Sequence, residues 1–198
     1  MKKIIKKVSI IFMLVATSFN FVVASENILS IGSENAKVTV KVFSSLTCPH
    51  CANFHNNIFE DLKKEYIDTK KVKFEHHSFP LDLAALNAEL VIRSIENKEK
   101  SFQFLNKIYE KQNQWAIGSD INIINNYIKK IEIEFGLNNE RMDKFIKDEK
   151  IQDQILNERI NAQKNYKISS TPTIFINEKK YEGKHEFKAF KKALDKII

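Results

Sequence analysis

Residues 37–51 read Lys37-Val38-Thr39-Val40-Lys41-Val42-Phe43-Ser44-Ser45-Leu46-Thr47-Cys48-Pro49-His50-Cys51. The first seven are β-branched and partly alternating, which predicts a strand. Ser44-Ser45-Leu46-Thr47 turns the chain. From Cys48 the apolar positions change period: Cys51, Phe54, Ile58, Leu62 and Tyr66 recur at three- and four-residue steps, so a helix follows. Asp68-Thr69-Lys70 ends it, and residues 72–77 form a second strand closed by Ser78-Phe79-Pro80. A strand, a helix and a strand in this compass make a parallel crossover unit.

Further along, the middle of the chain is helical, with helices expected at 82–97, 100–113, 120–135 and 139–166, the last broken near 149. Ser119 or Asp120 is a cap for the third helix and Gly136 its stop. Thr173-Ile174-Phe175-Ile176-Asn177 is another strand, and residues 179–183 are placed to pair with it. Residues 186–198 close the chain as an amphipathic helix carrying Phe187, Phe190, Leu194 and Ile197. The order predicts a small α/β sheet of residues 36–81 and 167–198, interrupted by a helical insertion at 82–166. Residues 25–35 read as a short polar lead-in. The first and last helices are available to cover the sheet, whose parallel strands need both faces buried.

Before the fold comes a targeting segment. Lys2, Lys3, Lys6 and Lys7 precede an apolar run, and Val22-Val23-Ala24 supplies small or β-branched residues for cleavage, so residues 1–24 read as a secretion signal. An uncleaved anchor is the rival; Thr17, Ser18 and Asn20 interrupt the run. That segment holds four of the 32 basic side chains and none of the 25 acids, so the remainder carries a net charge of +3. Such a small surplus gives no case for a nucleic-acid partner. Four Gly and three Pro in 198 residues, with 43% hydrophobic residues, exclude collagenous and wholly disordered readings.

The two cysteines, Cys48 and Cys51, carry the chemistry. At a helix N-terminus, free backbone N–H groups and the macrodipole favour an anion, so the Cys48 thiol is expected to ionise easily. Pro49 suits the first helical turn, where its missing N–H loses nothing. His50 adds a donor that becomes cationic on protonation, so both are read as tuning the redox pair. A stabilised thiolate favours the dithiol over the disulfide and makes the disulfide an oxidant. Cys48 is expected to be the exposed, attacked sulfur and Cys51 the shielded one. Two plainer readings compete. The pair is a structural disulfide, although so short a loop constrains little chain. Or it is half of a zinc site with His55 and one of His76 or His77. Otherwise His55, His76, His77 and His185 are read as structural or surface residues.

Four blocks now line up: 43–51, Phe79-Pro80-Leu81-Asp82, Gln112-Asn113-Gln114-Trp115, and 170–177 from Ser170 to Asn177. In this order they resemble the thioredoxin superfamily, and most closely its secreted DsbA-like thiol:disulfide oxidoreductases with a helical insertion. The resemblance implies a thioredoxin fold and a cis peptide at Thr171–Pro172 facing the cysteines, with Thr171 and Pro172 presenting backbone to an extended substrate. It implies a periplasmic enzyme that oxidises cysteine pairs in unfolded or partly folded secreted proteins. A quinone-linked membrane partner would reoxidise it. No dissociable cofactor and no metal is called for, and a monomer is expected, because residues 25–35 are too short for an added dimerisation domain. A disulfide isomerase or reductase of the same compartment is the nearest alternative. A secreted peptide-binding or chaperone module with a structural disulfide is another. Relatives often carry an acid six residues before the first cysteine, where this chain has Val42; Glu75 is the substitute suggested by the sequence.

Overall fold

The computed structural model describes residues 28–198, so the expected secretion signal at 1–24 lies outside the described residues. Five strands form one sheet: β1 Leu29–Gly32, β2 Val38–Ser44, β3 Val72–Ser78, β4 Thr173–Ile176 and β5 Lys179–Lys180, in the spatial order β1-β3-β2-β4-β5. β2 and β3 run parallel, with Val42 opposite His76 and Ser44 opposite Ser78. The other neighbours are antiparallel. Between β2 and β3 the chain is helical over 49–67 (α1). Its α-helical pieces Pro49–Phe54 and Glu60–Leu62 alternate with wider π-helical turns at His55–Phe59 and Lys63–Ile67.

The strand at Leu29–Gly32 was not foreseen in the polar lead-in. It pairs with β3 from Leu29 opposite His76 to Gly32 opposite Lys73, so its partner rather than its own four residues decides it. Gly32 ends it with φ of +106°, and a Cβ there would sit 2.6 Å from the Val72 carbonyl oxygen. Only glycine meets both demands without strain.

Six helices link β3 to β4: α2 Leu83–Arg93, α3 Lys98–Glu110, α4 Gln112–Trp115, α5 Ile121–Glu134, α6 Asn139–Phe145 and α7 Glu149–Tyr166. Asp120 is the cap of α5, accepting from Asn122 N at 2.9 Å. Gly136, at φ of +78°, follows its end. α8, Phe187–Leu194, closes the chain. No helix among the described residues is long and apolar enough to cross a membrane.

Side chains alternate across the strands and so divide the sheet into two faces. Val38, Val40, Val42, Val72, Phe74, Ile174 and Ile176 enter the main core with Phe54, Ile58 and Leu62 of α1. Phe190 and Leu194 of α8 join the same core, and the Phe54 and Phe190 rings meet edge-on at 6.0 Å. The first and last helices therefore share one face instead of covering both. The other face, presenting Phe43 and Phe175, is covered by Ala162, Tyr166 and Ile168 at the end of α7 and just beyond it. The insertion thus returns to the sheet through its longest helix.

Candidate active site

The turn after β2 delivers Cys48 to the start of α1. Cys48 is the N-cap, with extended backbone at φ −77° and ψ 119°, and Pro49 takes the first helical position. Its carbonyl accepts from Cys51 N and Ala52 N, both at 3.1 Å, which fixes the first turn. Both cysteines are free thiols, so this is the geometry of the dithiol. Thr171–Pro172 is cis, as the resemblance implies, and the Cys48 thiol donates to the Thr171 carbonyl oxygen at 3.3 Å. The structure therefore brings Cys48, Cys51, Thr171 and Pro172 to one place.

Exposure differs from expectation. Cys48 is 7% exposed and Cys51 1%, so neither is an open surface thiol. The loop at Thr171, bonded to the Cys48 sulfur, accounts for the cover. The rim is formed instead by the exposed Pro49 and His50.

The two sulfurs are electrostatic opposites. The Cys48 thiol is lowered from 9.0 to about 5. A hydrogen bond from Cys51 contributes most and outweighs burial; Thr171 and the backbone N–H groups of Cys51 and His50 add to it. Burial pushes the Cys51 thiol up, and the hydrogen bond and charge of Cys48 push it further. The Thr171 hydroxyl is buried with no hydrogen-bond partner among the described residues other than these sulfurs, on both of which it acts to favour the anion. His50 contributes through its backbone N–H, while its imidazole lies near His185.

The histidines proposed as zinc ligands are engaged elsewhere. His55 Nε2 is 2.5 Å from Asn106 Oδ1, and its ring stacks on Phe59 with centroids 4.5 Å apart. His76 pairs with Glu89 at 3.2 Å and His77 with Glu75 at 3.0 Å. Among the described residues no three His, Cys, Asp or Glu side chains are grouped to hold a metal ion.

Glu75 is also displaced from its suggested role. It stands opposite Lys41 in the parallel register, on the sheet face away from Val42, and binds Lys73 and His77. The polar group opposite Val42 is the His76 imidazole, which belongs to a buried network. Ser78 Oγ donates to Glu89 Oε1 at 2.5 Å, and Arg93 Nη2 donates to Ser78 Oγ and to Glu158 Oε2 at 3.1 and 2.6 Å. Burial alone would raise the Glu89 carboxyl; His76, Arg93 and Ser78 outweigh it and bring it to about 2. Nearer the cysteines lies Tyr109, fully enclosed, its ring 4.8 Å from that of His55. Burial, then charge at Cys51, holds its phenol well above its ordinary value, against the Ser44 side chain, which acts to lower it.

Two contacts from the insertion hold the cysteine turn, and sequence reasoning gave neither residue a role. Thr47 Oγ1 donates to Asp82 Oδ2 at 2.7 Å, while the other oxygen of that carboxylate caps α2 by accepting from Ala85 N at 2.7 Å. Gln112 Nε2 donates to Leu46 O at 2.7 Å and Cys48 O at 3.0 Å. The signal was present: both residues lie in the blocks that stand out in the sequence.

With this geometry in hand, comparison with known proteins is informative. A thioredoxin family model matches residues 24–196. The crystal structure of Wolbachia pipientis alpha-DsbA1 superposes with a TM-score of 0.79 at 30% identity, covering 86% of this chain and 90% of that one. Disulfide bond formation protein D of Bacillus subtilis is 29% identical, over 85% of this chain and 76% of its own length. A Rickettsia bellii protein, named as a candidate protein-disulfide oxidoreductase, is 28% identical over 87% of this chain; the chain spans 65% of that relative's length. An α/β sheet interrupted by helices, a Cys-x-x-Cys helix start and a cis-proline loop against it agree with these relationships, and the chain belongs to the thioredoxin family, in its DsbA-like group.

Proposed function

We propose that the chain is a thiol:disulfide oxidoreductase that oxidises cysteine pairs in proteins newly delivered to the periplasm. The observation that carries this reading is the contrast between the sulfurs, Cys48 ionising near 5 beside a buried Cys51 that resists ionisation. Each pKa unit gained by the attacking thiolate favours the dithiol by about 1.4 kcal/mol, or about 30 mV for a two-electron couple.

The exchange follows from that contrast. In the oxidised enzyme a substrate thiolate attacks Cys48 Sγ. A substrate–Cys48 disulfide forms, the Cys48–Cys51 bond breaks, and its electron pair goes to Cys51 Sγ, which takes up a proton because its burial disfavours charge. A second substrate thiolate then attacks the substrate sulfur of the mixed disulfide. The substrate disulfide closes, and the electron pair departs on Cys48, where the anion is stabilised. The substrate loses two electrons and the enzyme leaves as thiolate and thiol. The sulfurs carry the electrons, so no dissociable cofactor enters. In this reading Thr171 and Pro172 hold the substrate backbone, Pro49 and His50 tune the pair, and a quinone-linked membrane protein reoxidises the monomer.

Turnover with a reduced, unfolded protein tests the proposal. Cys48→Ser is expected to abolish it, and Cys51→Ser, with glutathione disulfide supplied to oxidise Cys48, to accumulate mixed disulfides at Cys48. Undiminished oxidation by the Cys48→Ser, Cys51→Ser double variant would discard the enzymatic reading.

A further inference from the structure

The block Gln112-Asn113-Gln114-Trp115 stands out in the sequence, yet the exchange chemistry makes no use of it. In the fold it is α4, a single helical turn fixed at both ends. Trp115 is fully buried, and its indole N–H donates to Ile108 O at 2.9 Å. Three residues earlier, and so on the same side of the turn, lies Gln112. Its amide nitrogen carries two protons, and both are spent on the cysteine turn, at Leu46 O and Cys48 O.

These two carbonyls flank Thr47. Cys48 O is also the first acceptor of α1, taking Cys51 N and Ala52 N. One carbonyl therefore receives three donors, two from the helix it starts and one from the insertion. The Asp82 brace holds the Thr47 side chain and bonds neither carbonyl. Turning the peptide that follows Cys48 would swing its sulfur away from the N–H groups of His50 and Cys51 and from Thr171. Gln112 opposes that rotation at the atom about which it would occur.

We propose that Gln112 is a positioning residue for the redox step, its amide fixing the Cys48 carbonyl so that the Cys48 sulfur faces the start of α1 and the Thr171 carbonyl. The inference deepens the oxidoreductase reading and rests on it. Gln112 touches no reacting atom and acts through Cys48. It also makes the insertion part of the redox site, because α4 is seated by Trp115 in the main core that the cysteines share.

The test is the ionisation of Cys48 in the reduced full chain, followed by ultraviolet thiolate absorbance across pH. Gln112→Met keeps the side-chain length and removes both donors. A neutral hydrogen bond is worth about 1 kcal/mol, so its loss is expected to raise the inflection by about half to one pH unit, leaving about three- to tenfold less thiolate below it. Gln112→Asn, which keeps the amide but draws it back by one methylene, is expected to shift the inflection the same way, and it provides the reading if the Met variant does not fold. Gln112→Lys, long enough to offer N–H donors to both carbonyls, is expected to leave the inflection at or below that of the parent. Folded Asn or Met variants that titrate like the parent would overturn the inference, as would an equal upward shift in all three. A parent chain whose Cys48 ionises like an ordinary thiol would instead defeat the oxidoreductase reading, which the variants do not address.

Discussion

Reducing the Cys48–Cys51 pair is expected to change the pH dependence of folding stability in a defined window. In the dithiol, Cys48 ionises near 5 when folded, against 9.0 for an ordinary thiol. A depressed folded value stabilises the native state fully above the unfolded value, and the contribution is lost as pH falls through the folded value. At ~1.4 kcal/mol per pH unit the whole window is worth about 5 kcal/mol, of which the portion up to neutral pH is about 3 kcal/mol. Water at the rim screens the interaction, and halving allows for it, leaving about 1.5 kcal/mol at neutral pH. Cys51, raised when folded, is neutral in both states until the unfolded thiol ionises, so it leaves this window unchanged. The assay is urea denaturation of the dithiol and disulfide forms from about pH 4 to pH 8. The other titrating groups are common to both, so their difference isolates Cys48. The dithiol should gain on the disulfide steadily above about pH 5, reaching about 1.5 kcal/mol near neutrality. A difference that stays flat between those limits would refute the stabilised-thiolate argument.

Three further outcomes follow from the buried contacts. Glu89→Gln removes the buried carboxylate that pairs with His76 and Arg93, leaving Arg93 only Glu158 among these partners, and is expected to cost about 3 kcal/mol in urea denaturation. In the parent the contribution of this depressed carboxyl is complete above its ordinary 4.5 and is lost progressively as pH falls from there to about 2, so stability in moderate acid should fall more steeply in the parent than in Glu89→Gln. Tyr109→Phe removes a buried hydroxyl that faces the Ser44 side chain, and stability in urea denaturation should fall by about 1 kcal/mol; a gain would show that this contact contributes nothing. Gly32→Ala combines a positive φ with a backbone clash and should lower the thermal midpoint by the equivalent of about 2 kcal/mol.

What the sequence could and could not reveal follows from the range of the interactions. β2 and the start of α1 were legible because the apolar period changes from two to between three and four at Cys48. The break near 149 was legible too: α6 ends at Phe145 and α7 begins at Glu149. Asp120 announced α5 because a cap acts on residues two and three positions away. β1 was missed because four residues at a sheet edge take their conformation from a partner more than 40 positions on. The π-helical turns of α1 were missed because apolar spacing does not distinguish a wide turn from an ordinary one. At the site, the position of Cys48 at a helix start could be read from its neighbours. The cis bond and the facing loop came only through family resemblance. The Glu89–His76 pair and the Gln112 clamp join residues 13 and 64 or more positions apart, and no local pattern records such pairings. The backbone N–H groups and Cys51 that act on the Cys48 sulfur are ones any Cys-x-x-Cys helix start can supply.

The equilibrium between the Cys48–Cys51 pair and glutathione bears on the whole argument at once. With the thiolate stabilised at Cys48, the chain should remain largely dithiol in mixtures where oxidised glutathione is plentiful, passing its disulfide to glutathione. A disulfide that persists in predominantly reduced glutathione would contradict this and mark the pair as a reductant or a structural bond.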